Sequence, residues 1–325
     1  MTIEYRGYKG GARTPGPTGS EIYGTGGWGP QPGQRLPGPL GNQLWDKDKL
    51  PPTSQNSPTK AVKSTTMPPP YKDGASKDVH VVTWPLFVGS PAFAQVQQAP
   101  AIGNCPVAAI LAALAFTPAG RTIISRLVDK DKTEASVVTD LSGLEKDTLT
   151  NPPKGNSLTS ARYFNVKLPG GAIDVSDVLY TNDGDGDSWS VLYLQDPKGQ
   201  TIWASIIEKA LAVQIQGYDN FRPEKYSAND YWQKITGAAP DGFPINDDTP
   251  LSKIIDAAKA STRVPTIAAS KPNASDVKFV EDERHGYAMM GLDGSKIKLY
   301  NPHGSTISIS PSEFQHDFQA ILFPK

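Results

Sequence analysis

A single cysteine, Cys105, stands in the segment Gly103-Asn104-Cys105-Pro106, directly ahead of the apolar run from Val107 to Phe116. A thiol in the first turn of a helix feels unpaired N–H groups and the positive end of the helix dipole. Both favour the thiolate, the form that attacks carbonyls. Pro106 supports a helix start, because the first helical position needs no N–H and proline's fixed φ suits it. The run has no polar face, so the spacing predicts a buried central helix that holds the sulfur at its tip. Taken alone, Cys105 also reads as a small buried hydrophobe, since free cysteine is among the most buried residue types.

A base and its orienting partner are found far downstream, in the stretch from Arg284-His285-Gly286 to Asn301-Pro302-His303-Gly304. Apolar and β-prone residues flank Asp293-Gly294, a strong turn signal, which predicts a β-hairpin. A three-residue loop with Gly294 in the left-handed position would put His285 opposite Asn301 on one face. A two-residue Asp-Gly turn would instead put Gly286 opposite Asn301, so the pairing depends on register. In the first register an Asn amide orients one imidazole nitrogen while the other faces an incoming thiol, the Cys-His-Asn arrangement of papain-like proteases.

At this point the chain resembles the calpain-type cysteine peptidases, in particular their compact microbial relatives. Residues 98–115, QAPAIGNCPVAAILAALA, resemble the segment with the oxyanion glutamine and the nucleophile. Trp203 to Ala210 resembles the tryptophan-to-EKA helix of that family, with Gly217-Tyr218 following it. The hairpin is similar to the His and Asn-Pro-x-Gly segments, and Ser312-Glu313-Phe314 with Phe318 to the closing element. The likeness runs over residues 81–325 in the family's order. It implies an α+β, papain-like fold with a central buried helix and an antiparallel sheet, and limited proteolysis of a protein or peptide substrate. It also implies Cys105 as nucleophile, His285 as base, Asn301 as its orienter and Gln98 as oxyanion donor. No cofactor is required by the sequence; calcium enters through the family resemblance alone.

Three residues depart from the family pattern. Gln98 lies seven residues before Cys105 where the family usually has six, which makes Gln97 a rival donor. Pro106 follows the nucleophile where animal members have Trp. His303 replaces the Trp of Asn-Pro-Trp-Gly, which predicts a His–Asn pair less shielded from water and more sensitive to pH. Two other functions share these residues: an amidase or transglutaminase-type acyl transferase using the same triad, and a degenerate peptidase that only binds extended peptides.

Composition narrows the remaining classes. One cysteine excludes an intramolecular disulfide and is compatible with a reducing compartment. A net charge of -1 argues against a general nucleic-acid binder. The most apolar run is too short to span a bilayer, and Met1 to Arg6 leads into glycines and not into a signal-peptide core. The expected location is therefore the cytoplasm, or secretion without a signal peptide. Residues 1–80 contain 25 glycines plus prolines and 10 Lys or Arg against 6 Asp or Glu. That density predicts a disordered, weakly basic tail ahead of a folded core over 81–325.

Within the core, the patterns predict helices over Arg121–Val128, Trp203–Gln214 and Leu251–Ala260. A hairpin is expected from Tyr163 to Val175 and a strand over Ser190–Leu194. Further strands are expected around Tyr287, Ile297, Ile307 and Ile321. Asp183 to Asp187 begins like a calcium loop but lacks the later glycine and glutamate, so it reads as a solvated turn. Glu281-Asp282-Glu283 reads as a charged loop or as a modulator of His285. His80, His285, His303 and His316 lack metal-ligand spacing, and the tail's glycine runs lack the strand and helix of a phosphate loop.

Overall fold

The computed structural model describes residues 62–63, 78–98, 103–128, 134–136, 161–183, 189–221, 225–272, 277–280 and 284–325. The tail expected over 1–80 lies almost wholly outside the described residues. So do Gly184 to Asp187 of the acidic turn, and Glu281-Asp282-Glu283.

In chain order the elements are β1 (Val62–Lys63), β2 (Asp78–Val81), β3 (Gln97–Gln98), α1 (Cys105–Phe116), α2 (Pro118–Leu127), β4 (Glu134–Ser136), β5 (Ala161–Leu168) and β6 (Gly171–Ser176). Then come β7 (Val178–Asp183), β8 (Trp189–Val191), β9 (Leu194–Gln195), α3 (Trp203–Gln214), α4 (Ala228–Thr236), β10 (Pro240–Pro244) and α5 (Leu251–Ala260). The chain closes with β11 (Ile267–Ser270), β12 (Gly286–Asp293), β13 (Lys296–Asn301), β14 (Ser305–Ile309), α6 (Pro311–Asp317) and β15 (Phe318–Pro324). This is an α+β chain. A six-stranded antiparallel sheet runs β10-β15-β11-β12-β13-β14. Smaller sheets join β1-β6-β5-β4, β2-β7-β8 and β3-β9, and all of their pairings are antiparallel except β1 with β6.

Period-2 alternation sorts the six-stranded sheet onto two cores. Tyr287, Met289, Ile297, Leu299 and Ile321 face α5 and α6 through Ile254, Ala258 and Phe314. Ala288, Met290, Ile267, Tyr300 and Leu322 belong to the other core, which holds α1 and α3. Eleven of the twelve residues of α1, Cys105 to Ala115, are buried. Each fully buried Leu or Ile contributes about 1.5–3 kcal/mol, so this helix is fixed by packing from every side. At Thr117 the chain bends by 116° into α2, where Thr117 Oγ1 accepts from the Gly120 N–H at 3.1 Å. The corner needs glycine: a Cβ on Gly120 would come within 2.2 Å of the Leu114 carbonyl oxygen. Among the described residues no single helix is long and apolar enough to cross a membrane.

Helix α3 is anchored at a buried basic group. Lys209 Nζ donates to Val178 O at 2.6 Å and to Ser176 O and Oγ at 3.0 Å, tying the helix to the corner between β6 and β7. Burial pulls this amine down to about 7, with the Asp177 charge opposing the shift. The strand expected over Ser190–Leu194 is divided in two. Tyr193 adopts φ 73 between β8 and β9 and stacks on Tyr218 at 3.8 Å, so aromatic packing overrides the strand pattern there.

Candidate active site

Cys105 is the first residue of α1 and Pro106 the second, with Asn104 as the N-cap. The helix thus starts one residue earlier than the proline signal indicated. The Ala108 N–H donates to the Asn104 carbonyl at 3.1 Å, but the Asn104 side chain makes no cap hydrogen bond. Gly103 lies so close to Phe221 that a Cβ would come within 3.1 Å of the Phe221 carbonyl oxygen. The turn that carries the thiol is therefore seated on fixed backbone.

The first turn of α1 also abuts β12. A Cβ on Gly286 would lie 3.2 Å from both the Cys105 carbonyl oxygen and Ala109 Cβ, so a bare glycine permits this approach. His285, immediately upstream, is held by its backbone. Its N–H donates to Ser270 Oγ at 2.9 Å, and its carbonyl accepts from the Ser270 N–H at 3.0 Å. The structure thereby places the candidate base beside the end of the helix that bears the thiol.

His285 Nε2 lies 3.0 Å from Asn301 Oδ1, and both residues are buried. The His303 backbone N–H donates to the same Oδ1 at 3.0 Å. An amide oxygen that takes one N–H from the main chain accepts from the imidazole as well. This assigns the proton of neutral His285 to Nε2 and leaves Nδ1 as the basic nitrogen.

The strand register is neither of the two expected. Asp293 pairs with Lys296 across a two-residue turn whose first central residue, Gly294, has φ 62. The register then shifts between Met289 and Leu292, so that Met289 pairs with Leu299 and Ala288 with Tyr300. Gly291, with φ 89, accommodates this bulge and donates its N–H to Ser261 Oγ at 2.8 Å. Continued to the strand ends, the pairing sets Tyr287 opposite Asn301, and His285 reaches Asn301 diagonally.

The two glutamines are separated by the alternation of β3. Gln97 is half-buried, and its Nε2 donates to the His303 carbonyl at 3.0 Å. Gln98 is buried, pairs with Leu194 of β9, and donates its N–H to the Pro302 carbonyl at 2.8 Å. Strand β3 thus lies between β9 and the Asn301–Gly304 turn.

One buried pair was not read from the sequence as part of a site. Asn104 Nδ2 lies 2.5 Å from Glu208 Oε1, while Glu208 Oε2 accepts from the Leu194 N–H at 2.9 Å. Burial pushes the Glu208 carboxyl up to about 8, against the two hydrogen bonds that favour its ionised form. A charged pair, Glu208-Lys209, inside the otherwise apolar run of α3 was the available signal.

Among the described residues no group of three or more His, Cys, Asp or Glu side chains could hold a metal ion. The arrangement can support nucleophilic acyl transfer: a thiol at a helix tip, an oriented imidazole whose backbone adjoins the first turn of that helix, and amide donors on a neighbouring strand. No protein-family model matches the chain, and no curated protein matches it.

Proposed function

We propose that the chain is a cysteine endopeptidase with a papain-like architecture, acting through Cys105, His285 and Asn301. The observation that carries this reading is the buried 3.0 Å contact of His285 Nε2 with Asn301 Oδ1, one residue from the glycine that abuts the Cys105 turn. The His285 tautomer that it selects is the one a thiol needs, with Nδ1 able to take the proton.

In this mechanism Cys105 Sγ attacks the peptide carbonyl as His285 Nδ1 removes its proton, so a C–S bond forms and the carbonyl becomes an oxyanion. The Cys105 backbone N–H, one of the first-turn donors that a helix offers to other acceptors, stabilises that charge together with the Gln98 amide. His285 then protonates the departing amine as the C–N bond breaks. A water molecule, deprotonated by the same imidazole, hydrolyses the thioester and restores the thiol. Gln98, buried on β3 beside β9, is the donor in this reading, while Gln97 directs an amide N–H to the His303 carbonyl.

The test is labelling by a peptidyl electrophile, with product masses measured on a peptide library. Adduct at Cys105 together with hydrolytic products supports the peptidase, whereas transfer products would identify an acyl transferase. Binding of peptides without adduct or turnover, or turnover that survives Cys105→Ala, would overturn it.

A further inference from the structure

Glu208 is 1 % exposed, and among the described residues no ion pair reaches it. A carboxyl group buried without a cation is costly, and a helix facing Ile206, Ile207 and Ala210 would be more stable with an apolar residue there. What distinguishes Glu208 is what its two oxygens touch. One meets the side chain of Asn104, the residue preceding the candidate nucleophile. The other accepts the N–H of Leu194, which pairs with Gln98. The same helix also fixes the Leu194 carbonyl, through the Ser205 hydroxyl at 2.7 Å.

We infer that Glu208 is a positioning residue, whose single carboxyl group registers the Cys105 turn, through Asn104, against the strand that carries Gln98, through Leu194. It thereby sets the spacing of the two proposed oxyanion donors. This deepens the peptidase reading and rests on it for the identity of the reacting groups.

The neutral acid fits the geometry. The 2.5 Å separation is a length of O–H···O and not of N–H···O hydrogen bonds. Turning the Asn104 amide over places Oδ1 against Glu208 and gives the carboxyl proton an acceptor, while the other carboxyl oxygen keeps the Leu194 N–H. Glutamine reproduces this pattern, with its NH2 donating to Asn104 and its oxygen accepting from Leu194. Leucine and alanine cannot.

The full chain and the variants Asn104→Ala, Glu208→Gln and Glu208→Leu are compared by three readouts: melting temperature, the rate of Cys105 alkylation by iodoacetamide, and peptide turnover. Asn104→Ala and Glu208→Leu are expected to lower kcat roughly tenfold or more with KM nearly unchanged, and to slow alkylation, because the reacting groups lose their register. Glu208→Gln is expected to restore both rates to near the wild-type values. If Glu208→Leu does not fold, the other two variants decide the question. A folded Asn104→Ala protein with wild-type alkylation and kcat would overturn the inference, as would a Glu208→Gln protein as impaired as the Asn104→Ala one. Should the wild-type protein be alkylated but cleave no peptide, the peptidase reading fails while the alkylation rates still decide the role of Glu208.

Discussion

The rings of His285 and His303 lie nearly parallel, their planes 16° apart and their centroids 4.9 Å apart. The His303 backbone N–H also shares Asn301 Oδ1 with the imidazole. The stacked ring packs against the imidazole of the pair, so truncating it opens that contact to water. The expected outcome is that His303→Ala lowers kcat several-fold with little change in KM, whereas His303→Phe, which keeps a stacked ring, stays near the wild type. Equal activity of the wild type and the Ala variant would show that the stacked ring does not support His285.

The proposed nucleophile gives the plainest test. Cys105→Ala is expected to abolish turnover with little change in melting temperature, since the sulfur is at a helix tip and its removal deletes little volume. His285→Ala should be comparably severe. Asn301→Ala should be milder in kcat, because it removes the orientation of the imidazole and not the base. It also deprives the His303 N–H of its acceptor, so a stability loss of about 1 kcal/mol is expected by denaturant unfolding.

Gln98 and Gln97 separate by different readouts. Gln98→Ala should lower kcat roughly a hundredfold or more with little effect on KM, the signature of a donor used in the transition state. Gln97→Ala loses a bond to the His303 carbonyl and support against Gly304, so its effect should appear mainly as lost stability. A crippled Gln97 variant beside a mild Gln98 variant would exchange their roles.

Local periodicity carried much of the fold. Helix α3 matches its expected span residue for residue, because Ile206, Ile207, Ala210 and Leu211 mark one apolar face. The hairpin of β5 and β6 follows its alternation, with Leu168 pairing Gly171 across the turn. What local pattern could not show was set by distant partners. The bulge near Gly291 is held by Ser261 and Thr262, from beyond the end of α5, so no reading of the hairpin alone could fix its register. Helix α4 was not anticipated, although its capping box, Ser227 with Asp230, and the left-handed Gly237 at its end were legible signals. In the candidate site the His285–Asn301 contact joins two residues that their types and the hairpin pattern had singled out. The Asn104–Glu208 contact could not, because it joins residues 104 positions apart through a helix whose pattern signals only burial.

That buried acid also makes the protein's stability depend on pH in a direction that can be tested. Burial raises the Glu208 carboxyl from 4.5 to about 8. Below pH 4.5 the group is protonated whether the chain is folded or not, and it exacts no ionisation cost. Between 4.5 and 8 the unfolded chain releases the proton while the folded chain retains it, so stability from this group is lost progressively as pH rises through the folded value. Lys209 acts in the opposite sense. Its value is lowered from 10.5 to about 7, so its contribution to stability rises with pH between those limits, but it is common to the wild type and any Glu208 variant. Glu208→Gln keeps the hydrogen bonds and cannot ionise. The melting temperature of the Gln variant minus that of the wild type is therefore expected to increase from pH 5 to pH 8. A difference that stays constant or shrinks over this range would show that Glu208 is already ionised in the folded protein, and the neutral-acid contact with Asn104 would have to be abandoned.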